Sequence, residues 1–155
     1  MLYFYYGVMG SSKTAQLLMQ RYNYQQLGLK VALVKPAVDT RAGHHTVFSR
    51  VGLTAHAELV LSPTDRVREQ LSRLAVQHAH NDYQYVFVDE AQFLFQRHKA
   101  SCTKGAAFDW LRVASEESGF DLVFCGDLTL AQVMTNFAQL QSRMRRPVTI
   151  KEVDR

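Results

Sequence analysis

Short apolar runs recur along this chain and are separated by stretches in which apolar residues return every three or four positions. Runs of this kind, bounded by polar or turn-forming residues, are typical of buried strands. Five strands are predicted, at residues 2–6, 30–34, 83–88, 122–125 and 148–153. The sequence between most neighbouring strands is long enough for a helix, which favours parallel pairing.

The stretches between the runs have helical spacing. After residue 13 the apolar positions are Ala15, Leu18, Met19 and Tyr22, and Gly28 is a suitable stop. Further helices are predicted after residue 62, at 108–114 and at 130–137, and the short apolar pieces 47–48 and 59–61 predict an antiparallel hairpin. Strands alternating with helices predict an α/β fold with three layers, a mostly parallel sheet and helices on both faces.

The composition is that of a single globular domain over residues 1–155, with 47% hydrophobic residues. No run approaches the roughly 18 apolar residues of a membrane span. The apolar start, MLYFYYG, lacks the basic leader of a signal peptide, so we interpret it as a strand and the protein as cytoplasmic. Cys102 and Cys125 form no metal-binding pattern with each other, and reduced thiols are expected in that compartment.

The chain carries a net charge of +4 and a pI near 9.2. This excess fits either a nucleic-acid partner or a bound triphosphate. Lysines and arginines are spread along the chain, and the one dense cluster is Arg143, Arg145 and Arg146. The spread favours the triphosphate, so nucleic acid is not the expected partner.

The strongest chemical signal is GVMGSSKT, residues 7–14. It is close to a phosphate-binding loop, in which Gly, four residues and Gly-Lys-Ser/Thr connect a strand to a helix. Small residues let backbone N–H groups approach an anion, and the helix dipole behind them favours negative charge. Lys13 would bridge the β- and γ-phosphates, and the Thr14 hydroxyl would bind Mg²⁺. The phosphate-binding candidates in this run are Gly7, Met9, Gly10, Ser11, Ser12, Lys13 and Thr14.

Ser12 stands where the pattern has its second glycine. If that position needs a backbone conformation that only glycine reaches easily, serine costs about 1–3 kcal/mol of strain. If it does not, the hydroxyl simply adds a donor. A helix start of small residues without a ligand is the alternative; the flanking strand and helix favour a working cradle.

A second signal is YVFVDEAQF, in which a strand runs directly into Asp89 and Glu90. These carboxylates would lie at the carboxyl edge of the sheet, where ligands bind in open α/β folds. Asp89 would hold Mg²⁺. Glu90, facing the other way because strand neighbours alternate, would take a proton from an attacking hydroxyl or water.

In order, these segments resemble the thymidine kinases of the zinc-containing P-loop type. The resemblance rests on GVMGSSKT, LVKPAVDTR (33–41), FSRVGL (48–53), VDEAQF (88–93) and LVFCGDL (122–128), and it covers about residues 1–130. It implies a P-loop NTPase type of sheet. It also implies transfer of phosphate from ATP to the 5′-hydroxyl of thymidine or a related deoxynucleoside.

The resemblance assigns phosphate and metal roles residue by residue. Thr14, Asp39 and Asp89 would lie on the side of Mg²⁺, and Arg41 would contact phosphate. ATP and Mg²⁺ are therefore the implied cofactors.

It also assigns the nucleoside side of the site. Glu90 would be the catalytic base, while Gln92 and Phe93 would line the nucleoside site, with Phe93 near the base and Met9 packed beside it. A homodimer or homotetramer is implied as well.

The chain departs from the family pattern in three places. Ser12 replaces a glycine, and DLTLAQVMTNF has no clean counterpart of the family's Thr-Asp-Phe stretch, although it contains Phe137. The sequence ends at Arg155 without the family's zinc ribbon and the loop that closes over thymidine. We expect no structural zinc, because Cys102, Cys125 and the histidines make no four-ligand set. A trimmed chain, a minimal homologue and a relative with weak or altered activity all stay open.

Two other functions compete with the kinase. One is a nucleotide-binding module that has lost kinase activity, which the departures would explain. The other is a P-loop ATPase or helicase-like motor, since the run Asp89-Glu90-Ala91-Gln92 is similar to a helicase box and Glu90 could activate water.

Overall fold

A computed structural model describes residues 1–62, 83–95, 106–136 and 148–150 of the chain. The predicted helix after residue 62, residues 151–153 of the last predicted strand, Cys102, Phe137 and the cluster Arg143, Arg145 and Arg146 lie outside these residues. The strands are β1 (Leu2–Gly7), β2 (Val31–Pro36), β3 (Thr46–Phe48), β4 (Thr54–His56), β5 (Leu59–Leu61), β6 (Tyr85–Val88), β7 (Asp121–Gly126) and β8 (Val148–Ile150). The helices are α1 (Lys13–Gln26), α2 (Ala106–Ser118) and α3 (Leu128–Asn136), with a 3-10 turn at Ala91–Phe95.

Among the described residues, six strands form the main sheet in the order β5-β2-β6-β7-β1-β8, and every neighbouring pair is parallel. The predicted parallel sheet is therefore confirmed. Each of the five predicted strands appears within two residues of its expected start.

The predicted hairpin between residues 47–48 and 59–61 is wrong. Strand β3 instead pairs antiparallel with β4, while β5 joins the main sheet in parallel with β2. Two physical reasons account for the difference. The turn at 49–52 ends in Gly52, whose φ of 89° lets the chain reverse earlier. Leu59 and Leu61 are both buried, so they need the large sheet rather than a small exposed ribbon.

Two hydrophobic cores cover the two faces of the sheet. On one face α1 contributes Leu17 and Leu18, which cluster with strand residues such as Phe87. On the other face Leu111 of α2 and Leu130 of α3 belong to a second cluster, in which the rings of Phe4 and Phe124 stack 5.1 Å apart. The alternation of strand residues between these clusters confirms the three layers.

The topology brings the loops after β1, β2, β6 and β7 to one edge of the sheet, because parallel strands all end there. Strand β7 lies between β1 and β6. The loop after β1 is thus about 10 Å from the residues after β6, two strand spacings away. Among the described residues, no helix is long and apolar enough to cross a bilayer.

Candidate functional site

The loop at residues 7–14 connects β1 to α1, as the phosphate-binding pattern requires. Gly7 must be a glycine, because a Cβ there would lie 2.2 Å from the carbonyl oxygen of Ile150 and 2.7 Å from Ser11 Oγ. Gly10 has a φ of 93°, which side-chain-bearing residues rarely adopt. Two glycines of the run are therefore fixed by the shape of the loop itself.

Ser12 also has a left-handed backbone, with φ 58° and ψ 25°, and makes no side-chain cap to α1. This is a conformation that glycine adopts easily and serine does not. The strain alternative raised by the sequence therefore applies, at a cost of about 1–2 kcal/mol. The backbone at this position is therefore one that glycine favours, although the residue is serine.

Polar side chains fold back onto the loop. Lys13 donates a hydrogen bond of 2.6 Å from Nζ to the carbonyl oxygen of Val8, and buried Ser11 donates one of 2.8 Å from Oγ to the same oxygen. The ammonium is thereby kept beside the loop. Met9, at its tip, is 77% exposed.

A contact of Asp89 connects the carboxyl end of β6 to this loop. The Thr14 hydroxyl lies 3.2 Å from each oxygen of the Asp89 carboxylate, across 75 positions of sequence. Burial, and then the charge of Glu90, raise the pKa of Asp89 to about 7, although the hydrogen bond from Thr14 opposes the shift. Burial and the nearby Asp89 also raise the pKa of the free thiol of Cys125.

This pair of oxygen donors fits Mg²⁺. A buried carboxylate, with no cationic partner among the described residues, faces a hydroxyl at the start of a helix. In the same residues no three His, Cys, Asp or Glu side chains are grouped as a metal site. Mg²⁺ is usually held by one or two carboxylates together with substrate phosphates and water.

Glu90 is held differently from its neighbour. Strand β6 ends at Val88, so the two carboxylates part because Glu90 has a φ of 49° and not because of strand alternation. One Glu90 oxygen accepts a 2.5 Å bond from Arg41 Nη2, and the other accepts a 2.5 Å bond from Gln92 Nε2. No pattern in the sequence predicted this double contact.

Arg41 bridges Glu90 to Asp39, whose carboxylate accepts a 2.7 Å bond from Arg41 Nε. Bonding to Asp39, and also to Glu90, raises the pKa of Arg41 despite partial burial. Burial alone would raise the pKa of Asp39, but Arg41 and Lys35 together lower it. Asp39 and Arg41 are thus brought to the site, with the guanidinium shared between two carboxylates.

Lys35 anchors the loop that carries these groups, a role the sequence reasoning missed. Its side chain is fully buried in β2, and Nζ donates to the carbonyl oxygens of Gly43 at 3.0 Å and Thr46 at 2.9 Å. It lies 3.9 Å from Asp39 Oδ2. A lysine inside the otherwise apolar strand VALVKP was the available signal, since an unpaired buried ammonium would be costly.

A cleft lies between the phosphate loop and the β3–β4 turn. The turn contributes residues 48–51 to its lining, and sequence reasoning assigned these residues no role. The other residues that line the cleft are Met9, Gly10, Ser12, Lys13, Thr14, Ala15, Arg41 and Glu90. The sequence signal for residues 48–51 was the run FSRVGL (48–53), which resembles a segment of the thymidine kinase family.

Gln92 and Phe93 lie in the 3-10 turn and are not among the described residues that line this cleft. Gln92 is buried, and its Oε1 accepts a 3.2 Å bond from the backbone N–H of Asp127. Its amide thus connects Glu90 to the end of β7. Asp127 itself caps α3 by accepting bonds from the N–H and hydroxyl of Thr129. A nucleoside contact for Phe93 stays a prediction.

This chain is similar in sequence to proteins of one known family. The sequence model of the thymidine kinase family matches residues 1–111. Similar curated relatives are the thymidine kinases of Yersinia pestis, 39% identical over 93 residues, and Legionella pneumophila, 40% identical over 93 residues. These matches cover 60% of this chain and 45% and 43% of the relatives. For the thymidine kinase of Lactobacillus johnsonii the values are 36% identity over 105 residues, 66% of this chain and 53% of the relative.

The matched region thus spans about half the length of these relatives. The family match over residues 1–111 contains the phosphate loop, the segment from Lys35 to Arg41, the β3–β4 turn and the Asp89-Glu90 pair. Since the family model covers well over half of this sequence, the chain belongs to the thymidine kinase family.

Proposed function

We propose that this chain transfers the γ-phosphoryl group of ATP to the 5′-hydroxyl of thymidine or a closely related deoxynucleoside. The observation that carries the proposal is the contact between Thr14 and Asp89, 3.2 Å at both carboxylate oxygens. It joins a loop shaped for phosphate to an acidic strand end, which is the arrangement that phosphoryl transfer needs.

The phosphate loop would receive the triphosphate. Lys13 would exchange the Val8 carbonyl for phosphate oxygens, and the start of α1 would place its positive dipole end beside them. Thr14 and Asp89, with Asp39 nearby, would hold Mg²⁺, which when bound neutralises charge on the β- and γ-phosphate oxygens.

Glu90 is the proposed general base. As the bond forms between the nucleoside 5′-oxygen and the γ-phosphorus, the bond to the β–γ bridging oxygen breaks and ADP leaves. The 5′-hydroxyl proton passes to a Glu90 oxygen. That oxygen must first lose its 2.5 Å hydrogen bond from Arg41 or from Gln92. Arg41 is the easier partner to displace from Glu90, because its side chain is 63% exposed and it keeps its contact with Asp39.

The two hydrogen bonds that Glu90 accepts also favour a second function. With both oxygens hydrogen-bonded, Glu90 resembles a structural acid, which suits a nucleotide-binding module without kinase activity. The two functions differ in one measurable property, since only the kinase forms a nucleoside monophosphate.

The test is a panel of nucleosides with ATP and Mg²⁺, scored for monophosphate formation. Glu90→Gln should reduce turnover by ~10²–10⁴ and leave ATP affinity nearly unchanged, because an amide cannot accept the proton. Glu117→Gln, on the exposed surface of α2, is the matched control and should change neither. Full activity of Glu90→Gln would remove Glu90 from the base role. Absence of any monophosphate from the unmutated chain would favour the binding module.

A further inference from the structure

The cleft beside the phosphate loop contains two guanidinium groups, Arg41 and Arg50. We propose that Arg50, on the β3–β4 turn, contacts the terminal phosphoryl group of the bound triphosphate and stabilises it during transfer. This deepens the proposed kinase function and replaces Arg41, which the family resemblance placed on phosphate.

Arg41 is already engaged by carboxylates. It lies 2.7 Å from Asp39 and 2.5 Å from Glu90, so its single positive charge is shared between two negative charges. These three side chains together carry a charge of about −1, which repels rather than attracts a triphosphate. Moving Arg41 onto phosphate would also leave Asp39, a largely buried carboxylate, without its closest partner.

Arg50 is in the opposite situation. Within the described residues it has no ion pair or hydrogen bond to a carboxylate, and its side chain is exposed at the cleft that Lys13 and Thr14 line. A free guanidinium presents two parallel N–H groups that match two phosphate oxygens, and the bonds are charge-assisted. Arg50 can therefore bind phosphate without breaking an existing contact.

The turn that carries Arg50 is well defined. The N–H of Ser49 donates to the Leu53 carbonyl at 2.8 Å, and the N–H of Gly52 donates to the Ser49 carbonyl at 2.9 Å. The Ser49 hydroxyl is buried and accepts a 3.0 Å bond from the N–H of Leu53. Because these bonds fix the backbone on both sides of Arg50, less conformational freedom is lost when its side chain binds a ligand.

In the transition state the transferred group carries charge on its three equatorial oxygens. Lys13 approaches from the phosphate loop, and Arg50 would approach from across the cleft, so the two cations would flank these oxygens. No proton moves to or from Arg50, which acts only by its charge and its hydrogen bonds.

The experiment compares Arg50→Ala, Arg50→Lys and the unmutated full chain. Affinity for MgATP and for MgADP is measured by equilibrium titration, and kcat and KM are measured with thymidine. Arg50→Ala should weaken the binding of MgATP about 10-fold and the binding of MgADP less than about 3-fold. It should lower kcat roughly 10²-fold. Arg50→Lys should recover only part of each loss, since an ammonium lacks the two parallel N–H groups of a guanidinium. Lys30→Ala, which removes the same charge at the opposite edge of the sheet, should change none of these values.

The titrations with MgATP and MgADP test this inference separately from the proposed function. If the unmutated chain phosphorylates no nucleoside, the proposed function fails, but a selective loss of MgATP affinity in Arg50→Ala still supports the terminal-phosphate contact. Equal weakening of MgATP and MgADP, or no weakening of either, overturns the contact whether or not turnover is seen.

Discussion

The two walls of the cleft are built by different means. The loop wall, residues 7–14, is shaped by the main chain, with left-handed backbone at Gly10 and Ser12. The ion-pair wall, residues 39–51 with Glu90, is held by charged side chains, above all Lys35 and Arg41. The first wall depends on neighbours in sequence, and the second depends on contacts between distant segments. They should therefore respond differently to mutation.

The largest effect is expected from Lys35→Met, which removes the anchor of the ion-pair wall. The buried ammonium bonds the carbonyl oxygens of Gly43 and Thr46 and lies near Asp39. Methionine fills similar space but removes the buried donor that these two carbonyl oxygens share. We expect the free energy of unfolding to fall by about 3 kcal/mol, measured by urea denaturation.

Lys30→Met is the matched control, because Lys30 is exposed just before the same strand. Lys30→Met should lower the free energy of unfolding by less than about 0.5 kcal/mol. If the two walls are separate, folded Lys35→Met should still bind MgADP within about 3-fold of the unmutated chain. Equal stability of the two variants would refute the anchor, and a collapse of MgADP affinity would show that the walls are coupled.

Asp89→Asn tests the point where the two walls meet. In the fold the pKa of Asp89 is raised from an ordinary 3.8 to about 7, chiefly by burial. The native state therefore binds more protons than the unfolded state between these values, so the contribution of Asp89 to stability falls as pH rises through that window. In magnesium-free buffer at pH 8, Asp89→Asn should have a free energy of unfolding about 2 kcal/mol above that of the unmutated chain. The neutral amide replaces a buried ionised carboxylate.

The gain should be smaller at pH 6, where the native carboxyl is largely protonated; urea unfolding at both pH values measures it. Asp127→Asn is the control, because asparagine caps a helix about as well as aspartate does, and Asp127 caps α3. A gain that is equal at pH 6 and pH 8, or absent at both, would contradict the buried-charge explanation.

The sequence predicted the parts of the site that depend on local spacing. The run at residues 7–14 needs only a strand before it and a helix after it, and both were visible in the apolar pattern. The position of Asp89 followed from a simple topological rule, since parallel strands place their carboxyl ends at one edge. The Thr14–Asp89 contact is the outcome of these two inferences.

The ion-pair wall could not be predicted in the same way. Arg41 and Glu90 are 49 positions apart, and nothing in either segment specifies that they pair. The left-handed turn at Glu90 is set by tertiary contacts, because glutamate has no local preference for it. The hairpin was misassigned for a related reason: apolar spacing shows that residues 59–61 are buried but not against which strand.

The smallest effect, on the loop wall, is expected from Ser12→Gly. Ser12 has a φ of 58° and no side-chain cap to α1, so glycine relieves backbone strain without removing a helix-capping bond. The free energy of unfolding should rise by about 1 kcal/mol, offset only in part by the greater freedom of glycine in the unfolded chain. Ser11→Gly makes the same chemical change at a residue without positive φ and removes the bond to the Val8 carbonyl, so it should destabilise. Thermal unfolding of both variants checks the opposite signs; a loss of stability in both would show that residue 12 is not strained.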